Sequence, residues 1–177
     1  RRAIGSAYGS GPRHQTPDQR LLVINLPDLD PATDDVLSVG PLIDLGSKNV
    51  RPNDLVVLPD SNRVYCTSEM ARTVLTIDMD AAAASAVPPA PPAQIPVSSG
   101  GVAGEATFGS RAGHMLAASA DGARVWVPSV SDGSVAVLDM ASGQVEAWVE
   151  TAPGAEGIAA APDGSTVWVA CNRSNRI

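Results

Sequence analysis

Three side chains that could bind a ligand stand at regular intervals along the chain. His114 follows Asn53 by 61 positions, and Glu156 follows His114 by 42 positions. An amide, an imidazole and a carboxylate together donate and accept hydrogen bonds, and the last two can also act as general bases. The same two intervals separate the copies of an internal repeat, so we expect the three residues to take equivalent places in the fold.

The repeat consists of three segments that align without gaps over their central parts, at 55–78, 116–139 and 158–177. In each copy an aspartate precedes an aromatic residue by five positions: Asp60 and Tyr65, Asp121 and Trp126, Asp163 and Trp168. A weaker fourth copy, LLVIN at 21–25, matches VLTID at 74–78. An interval of 42 residues is typical of a unit of four short strands. The 61-residue interval therefore indicates an insertion of about 19 residues (61 − 42).

Each unit reads as four short strands, which the most regular copy places at 116–119, 124–128, 135–138 and 144–149. An Asp-Gly pair separates the first two, and such a pair between apolar runs is the strongest short-range signal of a β-hairpin. Four antiparallel strands repeated at this period form one blade of a β-propeller. The sequence therefore predicts an all-β fold, a β-propeller of four-stranded antiparallel blades, present as an incomplete arc of about three to four blades.

The repeat also predicts how the chain is divided. The predicted parts are an N-terminal strand remnant and loop at 1–19, a partial blade at 20–50, blades at 51–112 and 113–154, and a partial blade at 155–177. The blade at 51–112 carries a Pro/Ala-rich insertion at 81–112, in which residues 95–97 are predicted to supply the displaced fourth strand. Because closed propellers typically have about 4 to 8 blades, we expect the chain to be a fragment of a longer protein.

The unit resembles the YVTN repeat. The matching residues are PDG at 162–164, VWVA at 167–170, VAVLD at 135–139 and ASG at 141–143. The resemblance covers about residues 20–177, and it departs from the pattern at Asp60-Ser61, which lacks a glycine, and at Cys66, where valine is usual. It implies a lactonase-like or surface-layer-like propeller, in the periplasm or outside a bacterial cell. Propellers of this kind include both enzymes and binding modules, so the fold alone does not decide the function.

Propeller geometry gives the three spaced residues a common location. Residues just before the innermost strand of each blade lie at the mouth of the central channel, which places Asn53, His114 and Glu156 there, with Arg51 and Arg111 nearby. Polar groups that converge in a concavity are typical of a ligand site. Alternatively, these residues belong to the connection between blades and cap backbone groups or face water. A metal site needs several ligands at fixed spacing, and since none is recognisable we predict no metal and no cofactor.

The other repeated residues are predicted to have structural roles. Aspartates in tight turns accept hydrogen bonds from the backbone two residues on, and this role is predicted for Asp60, Asp121 and Asp163, with a similar role for Asp78 and Asp139. The aromatic residues are predicted to pack between blades: Tyr65, Trp126 and Trp168. Cys66 and Cys171 belong to units two apart, which disfavours a disulfide between them on geometric grounds.

Composition and missing motifs narrow the function. The net charge of −7 argues against nucleic acid and anionic membrane as partners, and no apolar run approaches the ~18 residues of a membrane span. Neither the G-x-S-x-G nucleophile motif nor the C-x-x-C-H haem motif is present. We therefore predict a non-catalytic binding or scaffold module for a protein or small-molecule ligand. Two alternatives stay open: a lactonase-like hydrolase with Glu156 or His114 as base, and the propeller domain of a c-type cytochrome-linked redox protein with a fused or docked cytochrome c domain.

Overall fold

The computed structural model describes residues 2–6, 9–10, 16–17, 20–25, 38–45, 51–59, 62–69, 71–84, 86–87, 97–98, 102–108 and 113–177. These residues form seventeen β-strands and a single short helix, α1 (Met79–Ala84). No helix among them is long and apolar enough to cross a membrane. The described chain is thus nearly all-β, as the sequence predicts.

Most of the strands form four sheets that follow one another along the chain, which we number blades 1 to 4. Blade 1 contains β1 (Arg2–Ser6), β4 (Arg20–Asn25), β5 (Ser38–Asp44), β9 (Ala86–Val87) and β10 (Val97–Ser98). Blade 2 contains β6 (Pro52–Val57), β7 (Arg63–Ser68), β8 (Thr73–Asp78) and β11 (Val102–Thr107). Blade 3 contains β12 (Ala117–Ala118), β13 (Arg124–Ser129), β14 (Ser134–Asp139) and β15 (Gln144–Glu150). Blade 4 contains β16 (Ala155–Ala160) and β17 (Val167–Cys171), and a separate ribbon pairs β2 (Gly9–Ser10) with β3 (Thr16–Pro17).

Blade 3 is the most regular sheet, and its three long strands confirm the predicted ones to within one or two residues. Alternating apolar side chains explain their burial, since Val125 and Val127 of β13 are 0% and 1% exposed while Arg124 points outward. The order β12-β13-β14-β15 is a simple antiparallel meander. Blades 2 and 3 thus have the four-stranded antiparallel architecture that the repeat predicts, and the predicted fold class is confirmed.

The fourth strand of blade 2 corrects one prediction. It is β11 (Val102–Thr107), which pairs antiparallel with β8, rather than residues 95–97. Within the segment 95–97 only residue 97 belongs to the described chain, and it starts β10, which lies parallel to β5 in blade 1. The insertion therefore contributes to two blades. The physical reason is edge pairing, because both β5 and β8 offer an unpaired backbone edge that a later strand can cover.

Blade 1 extends closer to the N-terminus than the predicted partial blade at 20–50. β1 pairs with β4 over five residues, from Arg2 opposite Asn25 to Ser6 opposite Leu21. β4 includes the LLVIN segment and lies between β1 and β5, as β8 lies between β7 and β11. The weak fourth copy of the repeat is therefore the third strand of a blade, and part of the predicted N-terminal remnant supplies the second.

The hydrophobic core lies between blades rather than within one. Buried side chains of blades 1 and 2 form one cluster, which includes Leu21, Val23, Ile43, Val64, Cys66, Leu75 and Ile77. Buried side chains of blades 2 and 3 form a second cluster, which includes Leu58, Tyr65, Val74, Phe108, Leu116, Val125, Val127 and Leu138. Tyr65 is 1% exposed, and its hydroxyl donates a 2.6 Å hydrogen bond to the carbonyl of Gly122 in blade 3. The predicted packing of Tyr65 between blades is confirmed.

Candidate functional site

The predicted site residues stand near the start of successive blades. Asn53 lies in β6, His114 lies just before β12, and Glu156 lies in β16. All three are half-buried, as is Arg51, which directly precedes β6 and has a φ of 43°. Arg111 lies outside the described residues. The structure thus gives Asn53, His114 and Glu156 equivalent positions in consecutive blades.

The backbone at two of these positions is fixed by a hydroxyl from the preceding blade. Ser6 Oγ donates a 2.6 Å hydrogen bond to the carbonyl of Asn53, and Thr67 Oγ1 donates a 2.6 Å hydrogen bond to the carbonyl of His114. The two donors are equivalent, since Ser6 lies opposite Leu21 and Thr67 lies opposite Val74. This repeated bond connects blade 1 to blade 2 and blade 2 to blade 3 in the same way.

The third junction lacks this bond. Pro128 lies opposite Val135 in blade 3, which is the place that Thr67 occupies opposite Val74 in blade 2. A proline side chain has neither a hydroxyl nor any other hydrogen-bond donor. The carbonyl of Glu156 therefore receives no such bond from blade 3.

Thr67 and Asp54 form a small network behind the junction of blades 2 and 3. Thr67 Oγ1 accepts a 3.1 Å hydrogen bond from the Asp54 amide while it donates to His114. The Asp54 carboxylate accepts from the Leu55 amide at 2.9 Å and from the Leu116 amide in blade 3 at 3.0 Å. Each polar group of this fully or partly buried network has a partner, so the network holds the His114–Leu116 segment in place.

The His114 side chain has an acidic partner that sequence reasoning missed. His114 Nε2 lies 3.4 Å from Glu69 Oε1, and the side chains are 35% and 22% exposed. Glu69 directly follows β7, the strand in which the Thr67 hydroxyl donates to the His114 carbonyl. The position of Glu69 could have revealed the pair. A residue at the end of the second strand of one blade lies beside the start of the first strand of the next blade.

Glu156 pairs within its own blade instead. Its carboxylate accepts a hydrogen bond from the side-chain amide of Asn172, which follows β17. Within the described part of the chain, no hydrogen bond or ion pair joins Asn53, His114 and Glu156 to one another. The three side chains thus occupy equivalent positions without direct contact, and a ligand would have to bridge them.

The turn aspartates have the predicted structural role where they are described. Asp121 accepts hydrogen bonds from the Ser119 hydroxyl and the Ala123 amide at 2.6 and 2.9 Å, and Asp163 accepts from the Ser165 amide at 3.0 Å. These bonds hold the pKa of both carboxyl groups below the ordinary aspartate value. Asp60 lies outside the described residues.

The later turns follow the same rule. Asp78 accepts from the Asp80 and Ala81 amides, both at 2.9 Å, and Asp139 accepts from the Ser142 amide at 2.7 Å. Among the described residues no group of three or more histidine, cysteine, aspartate and glutamate side chains could hold a metal ion. The side-chain oxygens of Asp78 and Asp139 thus accept hydrogen bonds from backbone amides within their own turns.

Both cysteines are buried free thiols. Burial raises the pKa of the Cys66 thiol to about 12, so this group is protonated at neutral pH. Since the thiolate is the nucleophilic form, Cys66 serves the core between blades 1 and 2 as a small apolar side chain.

Comparisons with known proteins bear on the fold. No protein-family model matches the chain, and no curated protein sequence matches it. Streptogramin B lyase is similar in structure, with a TM-score of 0.58 and 9% identity over 89% of this chain and 43% of the lyase. Hydrazine synthase of Kuenenia stuttgartiensis has a TM-score of 0.53 and 21% identity over 71% of this chain and 30% of that chain.

A third solved structure, apo AztD from Citrobacter koseri, has a TM-score of 0.49 and 16% identity over 80% of this chain and 32% of that chain. The chain thus spans less than half the length of each of these proteins, at 30%, 32% and 43%. At such low identities the likeness concerns the fold alone. Together with the four-stranded sheets, the likeness to streptogramin B lyase and hydrazine synthase identifies the chain as a β-propeller-type structure.

Proposed function

We propose that this chain is a β-propeller binding module without catalytic activity of its own, whose ligand sits beside Asn53, His114 and Glu156. The observation that carries the proposal is the repeated Ser6 and Thr67 bond, which fixes the backbone of Asn53 and His114 through their carbonyls. Because this bond uses the backbone carbonyl and not the side chain, it leaves the Asn53 amide and the Nδ1 of the His114 imidazole to a ligand, while Nε2 faces Glu69. Fixed backbone under polar side chains is what a preorganised site needs.

The partner class follows from charge. A net charge of −7 disfavours polyanions, so a small polar molecule or a protein is the proposed ligand. We place the module in the periplasm or outside the cell because of its resemblance to YVTN repeats. A fused or docked cytochrome c domain stays a prediction for a longer protein.

Histidine NMR tests the binding site directly. The chain has two histidines, so the ring Cε1–H signals of His14 and His114 can be assigned from a His114→Gln variant. In a screen of sugars, amino acids, sugar lactones and short peptides, we expect at least one class to shift the His114 signal and to leave His14 unchanged. Asn53→Ala and Glu156→Gln should each weaken that binding about tenfold, since the first removes a hydrogen bond to the ligand and the second replaces a charged acceptor with a neutral one.

Glu150→Gln is the matched control for Glu156→Gln, because Glu150 is an exposed carboxylate at the end of β15. It should bind the selected compound as the unaltered chain does. If no compound shifts the His114 signal, or if Asn53→Ala and Glu156→Gln bind as tightly as the control, the site is not at these residues.

The His114–Glu69 pair favours a second candidate, a lactonase-like hydrolase. A carboxylate 3.4 Å from Nε2 can orient the imidazole, so that Nδ1 could take a proton from an attacking water. If the full chain hydrolyses a sugar lactone faster than buffer, His114→Gln should lower the rate by about 100-fold or more and Glu69→Gln by less, because general base catalysis contributes about 10²–10⁴-fold. A rate equal to that of buffer removes this candidate and leaves the binding module.

A further inference from the structure

Blades 2 and 3 carry the same arginine but differ in its acidic partner. Arg63 and Arg124 are 61 residues apart and begin the second strands, β7 and β13. Each lies opposite an aspartate of the third strand, Asp78 or Asp139. In blade 3, Arg124 binds the Glu146 carboxylate through two hydrogen bonds, Nε to Oε2 at 2.8 Å and Nη2 to Oε1 at 3.0 Å. An arginine at this position of the repeat can therefore hold a carboxylate in a bidentate way.

The bulge that supplies Glu146 is present in blade 2 with an alanine. In blade 3 one extra residue of β15, Glu146, interrupts the pairing with β14 between Val137 and Leu138. The pairing of β11 with β8 is interrupted at the equivalent place, where Ala103 is the extra residue. A β-bulge changes the direction of the side chain that it carries. Because alanine has no carboxylate, blade 2 does not repeat the ion pair of Arg124 and Glu146.

A cavity of about 380 Å³ lies beside Arg63, between blades 2 and 3. Both blades that enclose it have four strands. A volume of this size lies at the lower end of the ~300–1,000 Å³ range of small-molecule sites. Arg63 begins β7 whereas Glu69 follows the end of β7, so the cavity lies at the opposite end of this strand from His114. It is therefore separate from the proposed site.

The lining of this cavity combines a cation with a hydroxyl and apolar side chains. Arg63 Nη2 donates to the Asp121 carbonyl at 3.4 Å, and a guanidinium has five N–H donors in a fork that matches the two oxygens of a carboxylate. Thr76, which is half-buried, adds a hydroxyl donor. Met140 and Ala123 supply apolar surface. The walls thus fit a ligand that has a carboxylate at one end and a short apolar tail.

A neighbouring aspartate does not prevent an arginine of this repeat from binding a carboxylate. Asp121 lines the cavity and is ionised at neutral pH, because hydrogen bonds, chiefly that from the Ser119 hydroxyl, lower its pKa. Asp163 is its equivalent, 42 residues on, and lies beside Arg124 in the same way. Glu146 nevertheless binds Arg124, and the hydrogen bond from that guanidinium is the main reason why the pKa of Glu146 lies below the ordinary glutamate value. The attraction of the guanidinium is thus the larger effect.

We propose that the cavity between blades 2 and 3 binds a small monocarboxylic acid, whose carboxylate pairs with Arg63 as that of Glu146 pairs with Arg124. The Thr76 hydroxyl donates a further hydrogen bond to the carboxylate, and the apolar tail of the ligand lies against Met140. A neutral amide of the same shape cannot form the ion pair, so charge is the basis of selectivity.

Butyrate is the probe, and butyramide is the matched neutral ligand. Binding to the full chain at pH 7 is followed by the methyl signal of Met140 in a ¹³C-labelled sample, which a Met140→Leu variant assigns among the four methionines. We expect butyrate to shift this signal in a saturable way, and butyramide to leave it unchanged at the same concentrations. Arg63→Gln should weaken butyrate binding by about tenfold or more, since it removes both the charge and the bidentate contact.

Arg124→Gln is the matched control variant, because it makes the same change at the equivalent arginine, whose carboxylate partner is already Glu146. It should bind butyrate as the unaltered chain does. Ala103→Glu places a carboxylate at the position equivalent to Glu146, and it should also weaken butyrate binding by about tenfold or more, since the new side chain competes for Arg63.

Ala103→Glu keeps the arginine, so it remains the deciding variant if circular dichroism shows that Arg63→Gln is unfolded. The proposal is wrong if butyrate gives no saturable shift of the Met140 signal or if butyramide binds equally well. It is also wrong if Ala103→Glu, or a folded Arg63→Gln, binds butyrate as tightly as Arg124→Gln.

Discussion

Replacing Thr67 with valine is expected to lower the free energy of unfolding by about 2–3 kcal/mol. Valine has nearly the shape of threonine, so the change removes the hydroxyl and little else. Thr67 is 0% exposed, and its hydroxyl donates to the His114 carbonyl and accepts from the Asp54 amide. Both backbone groups would be left without this partner at the junction of blades 2 and 3. A buried group that loses its hydrogen bond carries a desolvation penalty of about 1–3 kcal/mol.

Thr73→Val is the matched control, and it should have the opposite sign. Thr73 is 2% exposed and belongs to the same blade, but its hydroxyl has no hydrogen-bond partner in the described chain. Replacing an unsatisfied buried hydroxyl with a methyl group should be neutral or stabilise the protein by up to about 1 kcal/mol. Urea unfolding of the two variants measures the difference. Equal stability of Thr67→Val and Thr73→Val would show that the hydroxyl bond between blades contributes nothing.

A second large effect is expected at Gly122, where alanine should cost about 2–4 kcal/mol. Gly122 has a φ of +71°, a region that residues with a Cβ adopt at a cost of about 1–2 kcal/mol. A Cβ at this position would also lie 2.5 Å from Leu58 Cδ1 and 3.0 Å from the Tyr65 hydroxyl oxygen. Leu58 and Tyr65 are 2% and 1% exposed, so neither side chain has free space to move into.

Gly164→Ala separates the two contributions. Gly164 is the equivalent glycine of blade 4, with a φ of +70°, but a Cβ there would meet no heavy atom within 4 Å. This variant should therefore lose only the backbone term of about 1–2 kcal/mol. Thermal or urea unfolding of both variants gives the comparison. If Gly122→Ala is no less stable than Gly164→Ala, the close contact of the Gly122 turn with blade 2 is not as tight as described.

The strands of blade 3 could be predicted because their signals are local. Val125 and Val127 are buried on one face of β13 and alternate with Arg124 and Trp126 on the other. Asp121-Gly122 supplies the turn, and the repeat shows the same pattern twice. β12 is shorter than its predicted range of 116–119, since only Ala117–Ala118 pairs with β13. Strand ends depend on the neighbouring chain as well as on the sequence of the strand.

The fourth strand of blade 2 could not be predicted because its own sequence is a weak strand signal. VAGEAT contains two alanines and a glycine, all of which are disfavoured in strands. Its pairing with β8 is decided by the free edge of that strand and not by local preference. The segment 95–97 contains two β-branched residues, Ile95 and Val97, and is therefore the stronger local strand signal.

The candidate site, like the fold, could be predicted only in part from the sequence. The equivalence of Asn53, His114 and Glu156 follows from counting residues between repeats, so the sequence was sufficient to predict it. The Glu69 partner of His114 required knowledge of which residues of one blade meet the next. An alignment of the repeat copies shows which residues are equivalent, whereas this contact joins two residues that occupy different positions of the repeat. The junction bond from Ser6 and Thr67 was missed for the same reason.

The connection between the third and fourth strands has a consequence for how such a chain can lengthen. In blade 3 four residues separate β14 from β15, at 140–143, whereas in blade 2 twenty-three residues separate β8 from β11, at 79–101. Closing a flexible loop of twenty-three residues would cost only about 1.5 kcal/mol more than closing one of four, because the penalty grows with the logarithm of the length. In this chain α1, β9 and β10 lie within the longer connection and add contacts of their own. One or two hydrogen bonds between strands offset that amount. The outer edge of a blade is therefore a place where residues can be added at little thermodynamic expense, which is why the spacing of the repeat varies while the pairing of its strands does not.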